Sequence, residues 1–221
     1  MKNKNILIIA PHPDDETISM GGSIDKFIKE KFNVHILIIS GHLPPLYSEN
    51  DFNLTVKEAK KAFKILGVTS YKFLKIPATY VKDFETSKLN LLIFSEIQKL
   101  KPNTVFIPFP DRHIDHRTVF DCAMVNTRPN KKNHPKFILS YETLSETHWN
   151  APYIEANFTP DFFVNIDDTI EAKIKALNCY QSQIKNNLSR STQAVKALAR
   201  FRGSQNGCKY AEGFKLIRAI V

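Results

Sequence analysis

Cysteine is scarce in this chain: Cys122, Cys179 and Cys208 are its three thiols, widely spaced and odd in number. That pattern excludes a disulfide framework and a CxxC pair, and predicts buried or inert thiols in a reducing compartment. Long apolar runs are also missing, and none approaches the length needed to cross a bilayer. Met1-Lys2-Asn3-Lys4-Asn5 before five apolar residues has the outline of a leader. The apolar run is too short, however, and ends in Pro-His-Pro instead of a small-residue cleavage site. The sequence therefore predicts a cytoplasmic protein with no transmembrane segment. It contains no Walker P-loop, GxGxxG fingerprint, GxSxG elbow or HExxH helix, which removes the commonest nucleotide-binding, serine-hydrolase and metalloprotease readings. The 31 Lys and Arg against 22 Asp and Glu give a formal charge of +9. These cations are spread over helical segments without aromatic interleaving or a DNA-reading motif, so no nucleic-acid partner is predicted.

What remains is an ordinary globular composition, 43% apolar and 24% charged over 221 residues, enough for one domain spanning 1–221. Strand-like and helix-like segments alternate. Short buried runs at Ile6–Ala10, Val34–Ile39, Tyr71–Ile76 and Thr104–Ile107 are separated by helical spacings: one through Ile24, Phe27 and Ile28, a second over Asn53–Leu66 and a third over Leu89–Leu100. Gly67 is placed to close the second of these helices as a left-handed cap. Gly21-Gly22 permits close backbone approach. Strands are also predicted at Phe137–Leu139 and Phe162–Val164, helices at Lys173–Tyr180 and Thr192–Arg202, and a strand or helix over Phe214–Ile217. This rhythm predicts an α/β fold, a Rossmann-like three-layer sandwich with a mostly parallel central sheet.

Two clusters carry the chemistry. The first apolar run ends abruptly in Pro11-His12-Pro13-Asp14-Asp15-Glu16, and the run Thr104–Ile107 is followed by Asp111-Arg112-His113-Ile114-Asp115-His116-Arg117. Each lies on a loop at the carboxyl end of a predicted strand, the edge where open α/β sheets bind ligands. Alone, the acids of the first cluster read as helix caps and the histidines of the second as a solvated loop. Together, on strands predicted to be neighbours, they form a site. If a helix starts in the second cluster, His113 and His116 share a face, and Asp115 can hold a ring nitrogen of a neighbouring histidine. Two histidines and a carboxylate are the donor set of catalytic zinc with a position left for water, and the adjacent Asp14 and Asp15 suit one ligand and one general base.

These residues resemble a known family. Pro11-His12-Pro13-Asp14-Asp15-Glu16 with Gly21-Gly22, followed by His113-Ile114-Asp115-His116, is similar to the two signatures of the PIG-L/LmbE zinc-dependent de-N-acetylases. Lys173, Ala176, Ser182-Gln183, Arg202-Gly203 and Tyr210-Ala211-Glu212-Gly213-Phe214 resemble later blocks of that family, so the likeness covers most of the chain. It implies hydrolysis of the N-acetyl group of an N-acetylglucosamine-type sugar or its conjugate, giving acetate and a free amine. It further implies His12, Asp15 and His116 as ligands of Zn2+, or of another divalent metal such as Fe2+, and Asp14 as general base. His113 would support the oxyanion or protonate the leaving amine, and Asp115 would orient a histidine.

The likeness has gaps. Where many members carry an arginine three residues before Glu58, this chain has Thr55, with Lys57 nearby. A carbonyl-polarising tyrosine has no match; two residues before the HxDH block stands Asp111. Candidate substrate contacts are Lys57, Asp111 and Arg112 beside these gaps, His42 on the loop at the carboxyl end of the second strand, and Tyr141 and His148 in a segment polar and aromatic enough to border a sugar site. Two other readings stay open: a sugar or nucleotide-sugar binding module without catalysis, and a metal-dependent phosphoester hydrolase. Homo-oligomerisation is open as well.

Overall fold

A computed structural model describes residues 3–130 and 133–221; Met1 and Lys2, part of the leader-like start, lie outside the described residues. Strand β1 (Asn5–Ala10) runs into helix α1 (Asp15–Lys29), followed by β2 (Asn33–Gly41), α2 (Glu49–Leu66), β3 (Ser70–Pro77), α3 (Thr86–Leu100), β4 (Thr104–Pro108) and α4 (Ile114–Asn126). Then come β5 (Phe137–Tyr141), β6 (Phe162–Asn165), α5 (Ile170–Leu177), the single turn α6 (Gln181–Ile184), α7 (Thr192–Ser204) and β7 (Ala211–Ala219). The sheet order is β3-β2-β1-β4-β5-β7-β6, parallel except for β7, which is antiparallel to both neighbours.

Alternation along the strands builds two apolar layers. On β1, Ile6, Ile8 and Ala10 face one core with Ile24, Phe63 and Ala176, while Leu7 and Ile9 face the other with Ile93, Ile97 and Val119. Helices thus cover both faces, α1, α2, α5 and α7 on one and α3 and α4 on the other, which is the expected three-layer α/β sandwich. Because the chain winds from β1 to β2 and β3 and then returns to place β4 on the opposite side of β1, the direction of winding reverses there. That switch point opens a crevice at the carboxyl ends of β1 and β4, where both histidine-bearing clusters emerge.

Local chemistry explains where the elements depart from expectation. Helix α2 begins at Glu49, four residues before the predicted start, because Ser48 and Asp51 form a reciprocal capping box. Gly67 closes it at φ 72°, as the sequence predicts. The closing segment is strand β7, inserted between β5 and β6. Helix α1 is broken at Met20 (φ −143°, ψ 26°). Beyond the break, the N–H groups of Gly22 and Ser23 donate to the buried Glu212 carboxylate at 3.0 and 2.7 Å. Lys173 donates to the same carboxylate and to the Ser19 carbonyl. A Cβ on Gly22 would sit 2.8 Å from Ile166, so glycine is needed for this packing. The three cysteines are free thiols. Among the described residues no helix is long and apolar enough to cross a membrane.

Candidate active site

The Asp14-Asp15-Glu16 run divides its work by geometry. Asp14 occupies the N-cap position of α1 at φ 120°, yet its side chain makes no capping bond. A non-glycine residue in that region costs about 1–3 kcal/mol, a strain that persists only where the surroundings fix it. Asp15 turns the other way: its Oδ2 accepts the His12 backbone N–H at 2.8 Å and lies 3.2 Å from His12 Nδ1 and 3.4 Å from His116 Nε2. Glu16 is buried and accepts the hydroxyls of Thr17 (2.7 Å) and Tyr180 (2.6 Å), anchoring the loop to the far end of α5.

Each of the two outer histidines is aimed by a carboxylate behind it. His12 Nε2–H donates to Asp115 Oδ2 at 2.9 Å, and that oxygen also receives the Thr79 N–H at 2.7 Å. His116 Nδ1–H donates to Asp111 Oδ2 at 2.9 Å, an oxygen shared with the Thr147 hydroxyl. Since a carboxylate only accepts, these contacts fix the protons and leave His12 Nδ1 and His116 Nε2 facing Asp15. His116 Nε2 is buried and faces Asp15 Oδ2 at 3.4 Å without forming a well-aligned hydrogen bond, so it is placed to hold a proton or a cation against that carboxylate. The rings of His12, His113 and His116 gather so that donor atoms of all three lie within 4.8 Å of one another, a cluster able to hold a metal ion. His113, however, is also the N-cap of α4, where its Nδ1 accepts the Asp115 N–H at 3.2 Å. In the neutral ring the proton is therefore on Nε2, which makes that atom a donor.

The charges follow this arrangement. Burial opposes protonation of His12, but the hydrogen bonds its ring donates to Asp115 and Asp15, with the Asp15 charge, raise its pKa to about 9. His116 is likewise disfavoured by burial and lifted to about 10 by the charge of Asp15 and by Asp111. Burial and the two neighbouring histidines hold His113 down to about 4. Asp14 is pushed up to about 7 by burial, against the Arg190 charge and with that of Asp15.

A cleft of about 510 Å³ opens over these groups, lined by His12, Asp14, His42, Thr79, His113 and Arg190 among others. Of the candidate substrate contacts only His42 lines it, with its ring edge-on to Tyr47 at 4.4 Å. Lys57 does not: it is exposed on the outer side of α2 with Lys60, Lys61 and Lys64, while Thr55 and Leu54 face the cleft. Asp111 is fully buried behind His116, and Arg112 points outward toward Glu155. Tyr141 is a core residue whose hydroxyl donates to the Ile9 carbonyl at 2.8 Å. His148 pairs with Glu142, which also takes both ends of the buried Arg202. These five lie outside the lining of the cleft, because burial or direction turns each away from it. Arg190 was not legible in the sequence as a site residue, since it follows a single turn and no motif marks it.

A histidine and carboxylate cluster at the switch point of a parallel sheet defines the class: an α/β protein with a candidate metal centre in an open cleft. The family model described as PIG-L, GlcNAc-PI de-N-acetylase, matches residues 7–126, and the chain belongs to that family. Diacetylchitobiose deacetylase of Thermococcus kodakarensis is 28% identical over 98% of this chain and 84% of its own length. A probable N-acetyl-alpha-D-glucosaminyl L-malate deacetylase 2 of Bacillus anthracis is 23% identical over 83% of each. Among solved structures, N,N'-diacetylchitobiose deacetylase from Pyrococcus horikoshii, in complex with its inhibitor MPG, is 25% identical with a TM-score of 0.78, covering 97% of this chain and 84% of that one. A 4-carboxy-2-hydroxymuconate hydratase from Pseudomonas putida reaches the same TM-score at 17% identity, over 99% and 98%, a likeness of fold alone.

Proposed function

We propose that this chain, read over 1–221 as one catalytic domain, is a metal-dependent amide hydrolase. It removes the acetyl group from an N-acetylglucosamine-type amino sugar or its conjugate, giving acetate and a free amine. The observation that carries this reading is Asp15 Oδ2 set between His12 Nδ1 and His116 Nε2. Tetrahedral zinc with bonds near 2.0–2.1 Å spaces its ligands roughly 3.3 Å apart, and the two contacts measure 3.2 and 3.4 Å. Zn2+ held by His12, Asp15 and His116 fits the donor chemistry and the way His116 Nε2 is turned toward Asp15; Fe2+ suits the same donors. His113 is left out of this set because its Nε2 carries the proton.

When bound, the metal supplies a Lewis acid that acidifies water and polarises a carbonyl. Asp14, adjacent to the ligand but directed into the cleft, takes the proton of the attacking water. The His113 Nε2–H faces the same cleft and donates to the oxyanion that forms as water adds to the acyl carbon. As the C–N bond breaks, the proton held on Asp14 passes to the departing nitrogen. The names of the relatives support an amino-sugar substrate. The open, largely polar cleft leaves room for what the sugar is attached to.

The test is acetate release from N-acetylglucosamine, N,N'-diacetylchitobiose and N-acetylglucosaminyl malate by zinc-loaded protein, before and after chelation. Turnover that vanishes with chelation and returns with zinc is expected. Full activity in metal-free protein overturns the reading.

A further inference from the structure

The segment from Tyr180 to Arg190 lies along one wall of the cleft and is tied to the opening loop at both ends. Tyr180 donates to Glu16 at 2.6 Å. Ser182 is held by the buried Glu58 of α2 through its N–H (2.9 Å) and its hydroxyl. At the far end, the Asn187 side chain accepts the Arg190 N–H at 3.3 Å and fixes the short turn Leu188–Arg190. The Arg190 guanidinium is then spread over three partners: Nε donates to Ser145 Oγ at 2.9 Å, one terminal nitrogen to Glu146 Oε1 at 2.9 Å, and the other to Asp14 Oδ2 at 3.1 Å. Among the described residues no other side chain hydrogen-bonds the Asp14 carboxylate. Asp14 has no capping bond, and its backbone is held at φ 120°.

We propose that Arg190 is a positioning residue that acts through Asp14. Held by Ser145 and Glu146, its planar fork locks one carboxylate oxygen of Asp14 and leaves the other for the proton of the attacking water. A guanidinium with three directed donors can do this and an ammonium cannot, because the fork fixes orientation as well as charge. The inference rests on the reading of Asp14 as general base. It assigns a function to the loop between α6 and α7 beyond forming part of the cleft wall.

The experiment is a double-variant cycle on Asp14 and Arg190 in zinc-loaded protein with N,N'-diacetylchitobiose as the probe, with zinc content and melting temperature measured for every variant. Arg190→Ala is expected to lower kcat on the order of 100-fold, the scale of a misplaced reacting group. KM should stay within about twofold and zinc should remain stoichiometric, because the guanidinium touches the base and not the sugar. Added guanidinium ion should restore part of that turnover. In the Asp14→Asn background the same change should cost nothing further, since its effect runs through the carboxylate. A raised KM with parental kcat overturns the proposal in favour of a substrate contact, and additive losses in the double variant overturn it in favour of an independent role. If Arg190→Ala does not fold, Arg190→Lys carries the test, with reduced kcat and unchanged KM expected and parental kcat overturning. Parental activity in Asp14→Asn alone overturns the base assignment itself, an outcome distinct from a failed cycle.

Discussion

His12 and Asp115 are 103 residues apart in sequence and joined by one hydrogen bond of 2.9 Å, so each histidine-bearing cluster completes the other. Asp115 is itself set by the backbone N–H of Thr79, at the end of β3. Asp115→Asn should keep the fold and weaken zinc binding about 10- to 100-fold, the usual cost of losing an outer carboxylate partner. Competition with a chelator measures this. An unchanged affinity would show that His12 needs no partner for its orientation.

Zinc binding should release protons. In the metal-free protein His12 and His116 titrate at about 9 and about 10, so both are protonated at pH 7. A ligand nitrogen must be free of its proton, so binding at pH 7 displaces about two protons per metal, and affinity rises with pH until it levels off near 9–10. Calorimetry in buffers of different ionisation enthalpy counts the protons, and a count of zero refutes the assignment of these two rings as ligands.

As the proposed general base, Asp14 should set the acid side of the pH profile. Burial pushes its carboxyl up to about 7 in the metal-free protein, and a nearby dication favours the ionised form. A base works only when ionised, so turnover should rise with pH through a limb centred at or below about 7. Asp14→Asn should lose at least about 100-fold in kcat, the low end of what a positioned base contributes, at unchanged zinc content. A fully active variant removes Asp14 from the mechanism.

How much of this was legible in the sequence depended on how local the signal is. Both clusters sit directly after short apolar strands, so their residues and their placement at the sheet edge could be read from spacing. Contacts made by side chains could not. Lys57 is near Thr55 in sequence, but two residues along a helix are a rotation of about 200°, which turns it away from the cleft. Tyr141 lay in a polar, aromatic stretch that resembled a sugar platform, and its place as the last residue of β5 buries it instead. Asp111 is a substrate candidate in sequence and an orienting partner of His116 in space, because the fold of its loop decides which way the carboxylate points. Arg190 reaches Asp14 from a turn 176 residues further along the chain, Glu58 of α2 holds Ser182 and Glu212 of β7 holds Gly22 and Ser23, and no periodicity announces such contacts.

Kinetics should separate the candidate substrate contacts that line the cleft from those that do not. His42→Ala should raise KM for a substrate that fills the cleft, since its ring forms part of the wall. Lys57→Ala and Arg112→Ala should match the parent in kcat and KM, because both side chains face solvent away from the cleft. A KM increase of tenfold or more in Lys57→Ala would return that face of α2 to the substrate site.

The break in α1 at Met20 divides this helix into two pieces, and Glu212 anchors the beginning of the second. The carboxylate captures the Gly22 and Ser23 N–H groups that the break leaves without helical partners, and Lys173 balances its charge in a buried pair. Removing one member of such a pair leaves an uncompensated buried charge, at a cost of about 3–5 kcal/mol. Glu212→Ala should therefore unfold at much lower denaturant concentration than the parent. Glu212→Gln keeps an acceptor for one N–H and should fall between the two. Changing Lys173 to Met alongside Glu212→Gln removes both charges, so it should recover part of the stability lost in Glu212→Ala. If all three variants unfold with the parental midpoint, the brace contributes nothing to holding α1 beyond its break, and apolar packing such as that of Ile24 must fix it.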